Sequence, residues 1–311
     1  MATTGTRSSE TGVAALVKYA AFLFVSSLAQ GSRKMYAQTI VNFQQFVATR
    51  LQVPVFPANI TTVALYISYM IDKGYAVSTV ISHISAISFF HKLLGFDDVT
   101  SHFIIRKMLS GAKKLYQSSD TRFPITIQIL HKLVDSIHRL AKSKYEICLF
   151  KAMYILMFHG FLRIGEVTNS PNNIQYSQIS VSNCSVTVTF VTFKHHTSSP
   201  VVLTIPANYG KYCPVKLIKE YLCFRDKNSG PFFCFPGNVP VLSSNFNNML
   251  SSSVCLTGCS HLNIKPHSFR IGAATWAAVS GYSDSQIQAM GRWNSGAFKK
   301  YIRIQSFTVN V

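Results

Sequence analysis

Two hydrophobic patterns divide the chain. From residue 13 to residue 159, apolar side chains recur every three or four positions, as they do on one face of an amphipathic helix. Between residues 174 and 206 the period shortens to two, and Val186, Val188 and Phe190 alternate with threonines as in a strand. Helical spacing returns at Pro214. The pattern predicts a mainly α protein with a small antiparallel β-sheet.

The first part of the pattern predicts a separate helical domain. Residues 1–12 are rich in Ser, Thr and Gly and are expected to be disordered. Residues 117–125 lack an apolar period and are expected to form a linker between domains at residues 13–116 and 126–311. Capping residues and apolar stripes predict five helices before the linker: over residues 13–28, from Gly31-Ser32, from Thr61 or Thr62 to Gly74, from Ser78, and over residues 99–116.

The second domain is expected to begin with two helices, over residues 126–140 and 145–159. The second of these is almost wholly apolar and therefore central, and it leads directly into Arg163, with Glu166 one turn further on. Lys194 lies in the turn between two β-branched runs, at the tip of a predicted hairpin. Three short helices follow His267, the last of them running from residue 295 past Tyr301.

The charge balance of the chain indicates what kind of partner it binds. The 30 Lys and Arg residues exceed the 11 Asp and Glu residues, giving a net charge of +19. A surplus of this size favours a polyanionic partner, and double-stranded DNA is the leading one. A generally basic soluble protein is the alternative. A membrane surface would favour one basic amphipathic helix, whereas the cations here are spread along the chain, so no membrane association is expected.

Seven cysteines lie scattered among apolar neighbours, which indicates free thiols in a reducing compartment. The protein is therefore not expected to be secreted. Only Cys255, Cys259 and His261 approach the spacing of metal ligands, and they lack the paired Cys-x-x-Cys of a structural zinc site. We expect neither a metal nor another cofactor.

The candidate chemistry is phosphodiester cleavage. A phosphodiester resists attack because its anionic oxygens repel nucleophiles, so its cleavage needs nearby cations, a nucleophile and an acid for the leaving oxygen. Arg163 and Arg270 offer planar donors for phosphate oxygens, and His267 offers another. Tyr301 supplies a hydroxyl nucleophile and Lys194 a proton. An ordinary helix-capping, surface or turn role is the alternative for each of these residues.

These residues lie in motifs that resemble those of the tyrosine recombinase (phage integrase) family. The Gly-Phe-Leu-Arg at residues 160–163, followed by Glu166, is similar to the first arginine motif of that family. His267-Ser268-Phe269-Arg270 resembles its His-x-x-Arg box, and Gly291-Arg292-Trp293 resembles its Gly-His-x box. Tyr301, eight residues after Trp293, falls where the family carries its nucleophile. The subfamily most similar in these segments is the recombinases of eukaryotic mobile elements.

The resemblance implies a two-domain DNA clamp, in which a helical core-binding domain precedes the catalytic domain. Trp293 stands where the family more often has His. An indole N–H can donate to a phosphate oxygen but cannot transfer a proton, and an ordinary core role for Trp293 is the alternative. The implied catalytic set, with Glu166 in support, is Arg163, Lys194, His267, Arg270, Trp293 and Tyr301.

Resemblance and polar position together suggest two groups of DNA contacts. The first group lies on two helices of the core-binding domain and comprises Lys34, Gln38, Thr79, Ser82, His83 and Lys92. The second group lies near the end of that domain, is expected to touch phosphates rather than bases, and comprises Arg106, Lys107, Lys113 and Lys114.

The function implied is site-specific recombination or integration through a 3′-phosphotyrosyl intermediate, which needs neither ATP nor metal. Strand exchange would involve a homo-oligomer, a tetramer on two DNA sites, located in the nucleus of a eukaryotic host or otherwise in the cytoplasm. Two alternatives remain open. One is a domesticated DNA-binding protein of the same fold that no longer cleaves, and the other is a relaxing enzyme similar to type IB topoisomerases.

Overall fold

The computed structural model describes residues 12–116, 119–191, 199–226 and 229–303. It confirms a mainly α fold with a small antiparallel sheet. The chain separates into two compact units, Met1–Ser119 and Asp120–Val311. The division falls within residues 117–125, the segment in which the aperiodic sequence indicates a linker. Within the described ranges, no helix is both long enough and apolar enough to cross a membrane.

The described part of the first unit is built from helices. Its core is formed by apolar side chains of the second to fifth helices, among them Phe43, Tyr66 and Ile87. Asn59, rather than Thr61 or Thr62, caps the third helix by accepting a hydrogen bond from the Thr62 N–H. The five α-helices are α1 (Gly12–Ser26), α2 (Gln30–Arg50), α3 (Ile60–Asp72), α4 (Val77–Leu93) and α5 (Phe103–Leu115).

The second unit surrounds one buried helix with shorter helices and a small sheet. Three strands form an antiparallel sheet in the order β1-β2-β3, and two short strands pair separately. The strands are β1 (Ile179–Val181), β2 (Ser185–Phe190), β3 (Val201–Pro206), β4 (Cys234–Phe235) and β5 (Val239–Pro240). The α-helices are α6 (Ile127–Leu140), α7 (Lys144–His159), α8 (Ile164–Val167), α9 (Pro214–Leu222), α10 (Ser243–Leu256), α11 (His267–Val279) and α12 (Asp284–Gly291).

Helix α7 is the centre of the second unit, as its apolar sequence predicts. Every residue from Cys148 to Phe158 is buried, and α7 packs against α6, α9 and α11. A buried helix must end where the chain can turn sharply. Gly160 provides this end because a Cβ there would lie 2.7 Å from the Leu156 carbonyl oxygen, and Phe161 follows with φ of 51°. This turn carries the chain to Arg163 at the start of α8.

The hairpin of β2 and β3 is in register from Ser185 opposite Pro206 to Phe190 opposite Val201. On β2, Val186, Val188 and Phe190 are buried, which the alternation of apolar and polar residues predicts. Lys194 falls within residues 192–198, outside the described part of the chain.

Part of the expected linker is bound to the second unit. The Phe123 N–H donates to the Asn263 carbonyl at 2.9 Å, and the Ile125 N–H donates to the Ser268 carbonyl at 3.1 Å. Helix α11 approaches this segment closely at Gly272, where a Cβ would lie only 1.9 Å from the Ile125 carbonyl oxygen. Residues 120–125 are therefore a fixed strap on the second unit, and they do not behave as a free connection.

Candidate active site

Four segments of the second unit meet around a small aromatic cluster. They are the turn after α7, the first turns of α11, the residues after α12, and a 3₁₀ helix at Gly296–Tyr301. Small residues on α11 let the other segments approach, and Tyr301 packs on the cluster from its edge. The buried cluster consists of Phe161, Ala273, Ala274, Ala277, Ile287, Trp293 and Phe298.

Arg270 lies at the centre of this meeting point and is fully buried. Its two terminal nitrogens donate to the carbonyl oxygens of Phe161 and Gly291, so one guanidinium joins two of the segments. The guanidinium carbon lies 4.1 Å from the Trp293 ring centroid and 5.7 Å from that of Tyr301. Burial, followed by the nearby Arg163 and Arg292, lowers the pKa of Arg270. Arginine nevertheless stays charged in proteins, so this is a strained, concentrated positive charge.

Arg163 begins helix α8 and is held there by Glu166. The Glu166 carboxylate accepts the Arg163 backbone N–H at 2.7 Å and lies 3.4 Å from its guanidinium. The Arg163 side chain remains 22% exposed, which leaves its guanidinium accessible to a ligand. Glu166 itself is buried, so the predicted supporting role has a physical basis: a buried carboxylate fixes both the backbone and the side chain of Arg163.

Arg292 is a buried member of the site that the sequence did not identify as functional. Its side chain is 1% exposed and pairs with Glu166 at 2.9 Å. It also donates to the Gly160 carbonyl at 3.2 Å, and its guanidinium carbon lies 3.7 Å from the Phe190 ring centroid. Burial lowers the pKa of Arg292, and Glu166 opposes that shift. Its position in the Gly-Arg-Trp motif could have marked Arg292 as a site residue. That its side chain points into the protein, however, depends on its left-handed backbone, with φ of 55°.

His267 is half-buried beside Tyr301, and the two ring centroids are 5.0 Å apart. Burial, together with the positive charges of Arg122 and Arg270, lowers the pKa of His267 to about 4. The imidazole is therefore neutral at pH 7 and can donate from one ring nitrogen and accept at the other.

The position of Trp293 is compatible with both of the roles that the sequence left open, a core residue and a hydrogen-bond donor. Its ring is buried between Phe161 and Phe298, and its centroid lies 5.0 Å from that of Tyr301. The indole N–H is buried and has no hydrogen-bond acceptor within the described ranges, so it is an available donor. Gly291 is required for this arrangement, because a Cβ there would lie 1.6 Å from the Trp293 ring.

Tyr301 ends the 3₁₀ helix with a partly exposed side chain. Its carbonyl oxygen accepts a hydrogen bond from the Thr275 hydroxyl at 3.2 Å, and that hydroxyl in turn accepts the Arg303 N–H at 3.0 Å. Helix α11 thus fixes the backbone at the tyrosine and in the two residues after it. Of the six predicted catalytic residues, five converge here, and Lys194 lies outside the described ranges. The Phe190 contact with Arg292 brings the loop end of the β2–β3 hairpin to the same site.

A second residue missed from the sequence is Arg122, on the strap described above. The positive charge of Arg122 contributes to the lowered pKa of His267. Asp120 pairs with both Arg122 and Arg303. No sequence signal identified these residues, because the segment lacks periodicity and belongs to no motif.

The candidate DNA contacts of the first unit are mostly exposed. Lys34 and Gln38 lie exposed on α2, Thr79 and Ser82 are half-buried on α4, and Lys92 forms an ion pair with Asp98 at 2.9 Å. The four cations of α5 are all exposed: Arg106, Lys107, Lys113 and Lys114.

His83 does not fit the proposed role as a DNA contact. Its ring is buried, and its Nδ1 lies 2.9 Å from the Tyr66 hydroxyl. Burial lowers the pKa of His83, which favours its neutral form. The spacing of residues 80, 83, 84 and 87 puts His83 on the buried face of α4. Helical periodicity alone could therefore have predicted that His83 is buried.

A helical unit followed by a unit that gathers two arginines, a histidine, a tryptophan and a tyrosine defines the class of tyrosine recombinases. A sequence model described as the phage integrase family matches residues 128–305, more than half of the chain. The chain therefore belongs to the phage integrase family. No curated protein matches it at a significant level of sequence similarity.

Solved structures of this class share the fold at low sequence identity. The Tn1549 transposon integrase, in complex with circular intermediate DNA, is 14% identical with a TM-score of 0.61, covering 90% of this chain and 92% of its own. The lambda integrase dimer bound to a COC′ core site is 12% identical with a TM-score of 0.61, and the match covers 94% of this chain and 98% of the lambda integrase chain. The XerH recombinase bound to its difH substrate is 14% identical with a TM-score of 0.58, covering 86% and 76%.

Proposed function

We propose that the protein is a site-specific DNA recombinase that cuts and rejoins DNA through a 3′-phosphotyrosyl intermediate. The observation that carries the proposal is the convergence of Arg163, His267, Arg270, Trp293 and Tyr301 from four separate segments. A purely structural cluster gains nothing from crowding arginines around a tyrosine, because their mutual repulsion is destabilising. A phosphate between them would relieve that repulsion.

In the proposed reaction, Arg163, Arg270 and the Trp293 indole N–H bind the non-bridging oxygens of the scissile phosphate. The Tyr301 hydroxyl attacks phosphorus, and the adjacent His267, which is neutral in the DNA-free protein, accepts its proton once the bound phosphate offsets the nearby positive charges. The bond from phosphorus to the 5′ oxygen breaks as the bond to the tyrosine oxygen forms, and Lys194 gives the leaving oxygen a proton. Because the phosphotyrosyl bond retains the energy of the broken linkage, a second DNA 5′-hydroxyl reverses the step.

The first unit is proposed to be the core-binding domain, and the two units together to clamp duplex DNA. The net charge of +19 supports this, as do the exposed cations on α5. Solved relatives named as DNA complexes support the same partner, and the lambda integrase structure is named as a dimer. Strand exchange between two duplexes requires four cleavages, so we propose a homotetramer on two sites.

The direct test is covalent capture of DNA. The protein is incubated with a pool of duplexes that carry a nick within a randomised segment, so that cleavage releases a short fragment and traps the adduct. We expect a protein–DNA adduct that survives denaturing electrophoresis, and sequencing the trapped DNA then gives the target. Tyr301→Phe should abolish the adduct. The matched control is Tyr282→Phe, a partly exposed tyrosine outside the cluster, which should retain it. An adduct that persists in Tyr301→Phe would overturn the nucleophile assignment.

One observation favours a second candidate, a DNA-binding protein of the same fold that no longer cleaves. Both terminal nitrogens of Arg270 are already bonded to main-chain carbonyls, so this arginine is not freely presented to a phosphate. Such a protein would bind duplex DNA with a steep salt dependence and give no adduct with any member of the pool. The capture experiment separates the two candidates when DNA affinity is measured beside it.

A further inference from the structure

The carboxylate of Asp120 joins two arginines that are far apart in the sequence. It accepts from Arg122 through both oxygens, at 2.7 Å to Nε and 3.0 Å to Nη2, which is the bidentate geometry of a strong pair. The same carboxylate accepts from Arg303 Nη2 at 2.8 Å. The three side chains are each about one-third exposed.

Each end of this bridge is fixed to a different part of the second unit. On one side, the strap of residues 120–125 is anchored by the Phe123 and Ile125 hydrogen bonds and packs directly on Gly272 of α11. A further bond joins Asn263 Nδ2 to the Thr121 hydroxyl at 2.9 Å. The strap is therefore a rigid support.

On the other side, the bridge reaches the chain immediately after the nucleophile. Arg303 is two residues beyond Tyr301, and its N–H donates to Thr275, whose hydroxyl donates to the Tyr301 carbonyl. Two anchors thus hold this segment: the Thr275 hydroxyl acts on its backbone and the Asp120 carboxylate acts on its last described side chain. Removing the Asp120 anchor would leave the Thr275 hydroxyl as the remaining one of these two contacts that hold the segment after Tyr301.

We propose that Asp120 is a positioning residue for Tyr301, acting as a latch that ties the segment after the tyrosine to the strap at the start of the second unit. The inference rests on the proposed function, since it assigns the latch to the same cleavage reaction. Asp120 acts through Arg303 and does not touch the phosphate.

The charges fit this role. Hydrogen bonds from Arg122, with the fields of Arg122 and Arg303, hold the pKa of the Asp120 carboxyl at about 2, so the latch is ionised at any working pH. The same bonds raise the pKa of Arg122. Without the carboxylate, two cations would face each other beside an already positive site, and the Arg303 side chain would be repelled.

The test compares single-turnover cleavage by the full-length protein on the duplex selected by covalent capture. Asp120→Asn keeps the shape and removes the charge, Asp120→Glu restores the charge, and Arg303→Gln removes the partner. The matched control is Asp284→Asn, which breaks an exposed ion pair with Lys299, two residues before the nucleophile. Amide hydrogen exchange of residues 296–303 is measured in parallel.

For Asp120→Asn we expect the cleavage rate constant at saturating DNA to fall roughly tenfold, because small displacements of a reacting group are costly in rate. DNA affinity should be unchanged or tighter, since a negative charge has been removed. Exchange at residues 296–303 should be faster. Asp120→Glu should recover most of the rate, Arg303→Gln should reproduce the loss without adding to it in the double variant, and Asp284→Asn should match the wild type.

Normal cleavage and normal exchange in Asp120→Asn would overturn the latch. A parallel loss of cleavage and DNA affinity would overturn it too, because that pattern indicates general destabilisation. If the wild type itself forms no adduct, the proposed function fails, and the exchange measurement alone then decides whether the latch holds this segment.

Discussion

Glu166→Gln should destabilise the second unit far more than an ordinary surface substitution. The carboxylate is 3% exposed and pairs with Arg292, whose side chain is 1% exposed. Glutamine has nearly the same shape, and its amide oxygen can still accept the Arg163 N–H. The substitution removes the charge and the one acceptor that faces the Arg163 guanidinium. Removing one partner of a buried ion pair leaves the other charge uncompensated, which costs about 3–5 kcal/mol. The lower value, about 3 kcal/mol, applies because Arg292 keeps its bond to Gly160 and its contact with Phe190.

Urea unfolding followed by tryptophan fluorescence measures this loss of unfolding free energy in the second unit. The chain has two tryptophans, Trp276 and Trp293, and both belong to the second unit. With a typical urea dependence, a loss of this size lowers the unfolding midpoint by about 1 M or more. The exposed Asp284→Asn substitution serves as a control and should change the free energy of unfolding by less than about 1 kcal/mol.

A double-mutant cycle then tests the reasoning itself. If Glu166 and Arg292 stabilise each other, Glu166→Gln combined with Arg292→Gln should cost less than the sum of the two single substitutions, by about 1–3 kcal/mol. Additive losses, or a Glu166→Gln variant within about 1 kcal/mol of the wild type, would refute the idea that a buried charge pair holds this site together.

Three further predictions concern the strap, the histidine and the leaving group. Gly272→Ala should lower the urea midpoint of the second unit or prevent its folding, because the new Cβ would overlap the Ile125 carbonyl; Gly296→Ala, with open space around it, should not. Because the pKa of His267 falls from 6.5 to about 4 on folding, the unfolded chain binds more protons between these values, so stability falls as pH drops through this window. His267→Asn should flatten that slope in urea titrations, and an unchanged slope would contradict the assignment. Lys194→Ala should cleave normal DNA slowly yet cut DNA with a sulfur in place of the 5′ bridging oxygen at nearly the wild-type rate, since a thiolate leaves without a proton; equal slowing on both substrates would exclude Lys194 as the acid.

The periodicity of apolar residues was sufficient to predict the helices and strands that are buried on one face or on all sides. The apolar run of α7 and the alternation along β2 predicted both elements, and the Gly160 turn followed from a buried helix that has to end. Motif order then identified five residues that converge in space. The signal for each of these features lies within a short stretch of sequence.

The features that could not be predicted depend on the direction in which a side chain points and on contacts between residues that are distant in the sequence. The sequence placed Arg292 in the Gly-Arg-Trp motif without a role, and its left-handed backbone at the end of α12 turns it inward to Glu166. Asp120 and Arg122 lie in a segment without periodicity, and their importance comes from Arg303, a residue 183 positions from Asp120. No spacing rule relates side chains across such a separation.

The crowded arginines have a consequence for how this protein can evolve. Arg270 is fully buried, and burial together with the positive charges of Arg163 and Arg292 lowers its pKa, so its charge is costly in the DNA-free fold. Stability and activity are then opposed at the same positions. A descendant that no longer had to bind a phosphate at this site would therefore have no reason to keep the buried charge of Arg270.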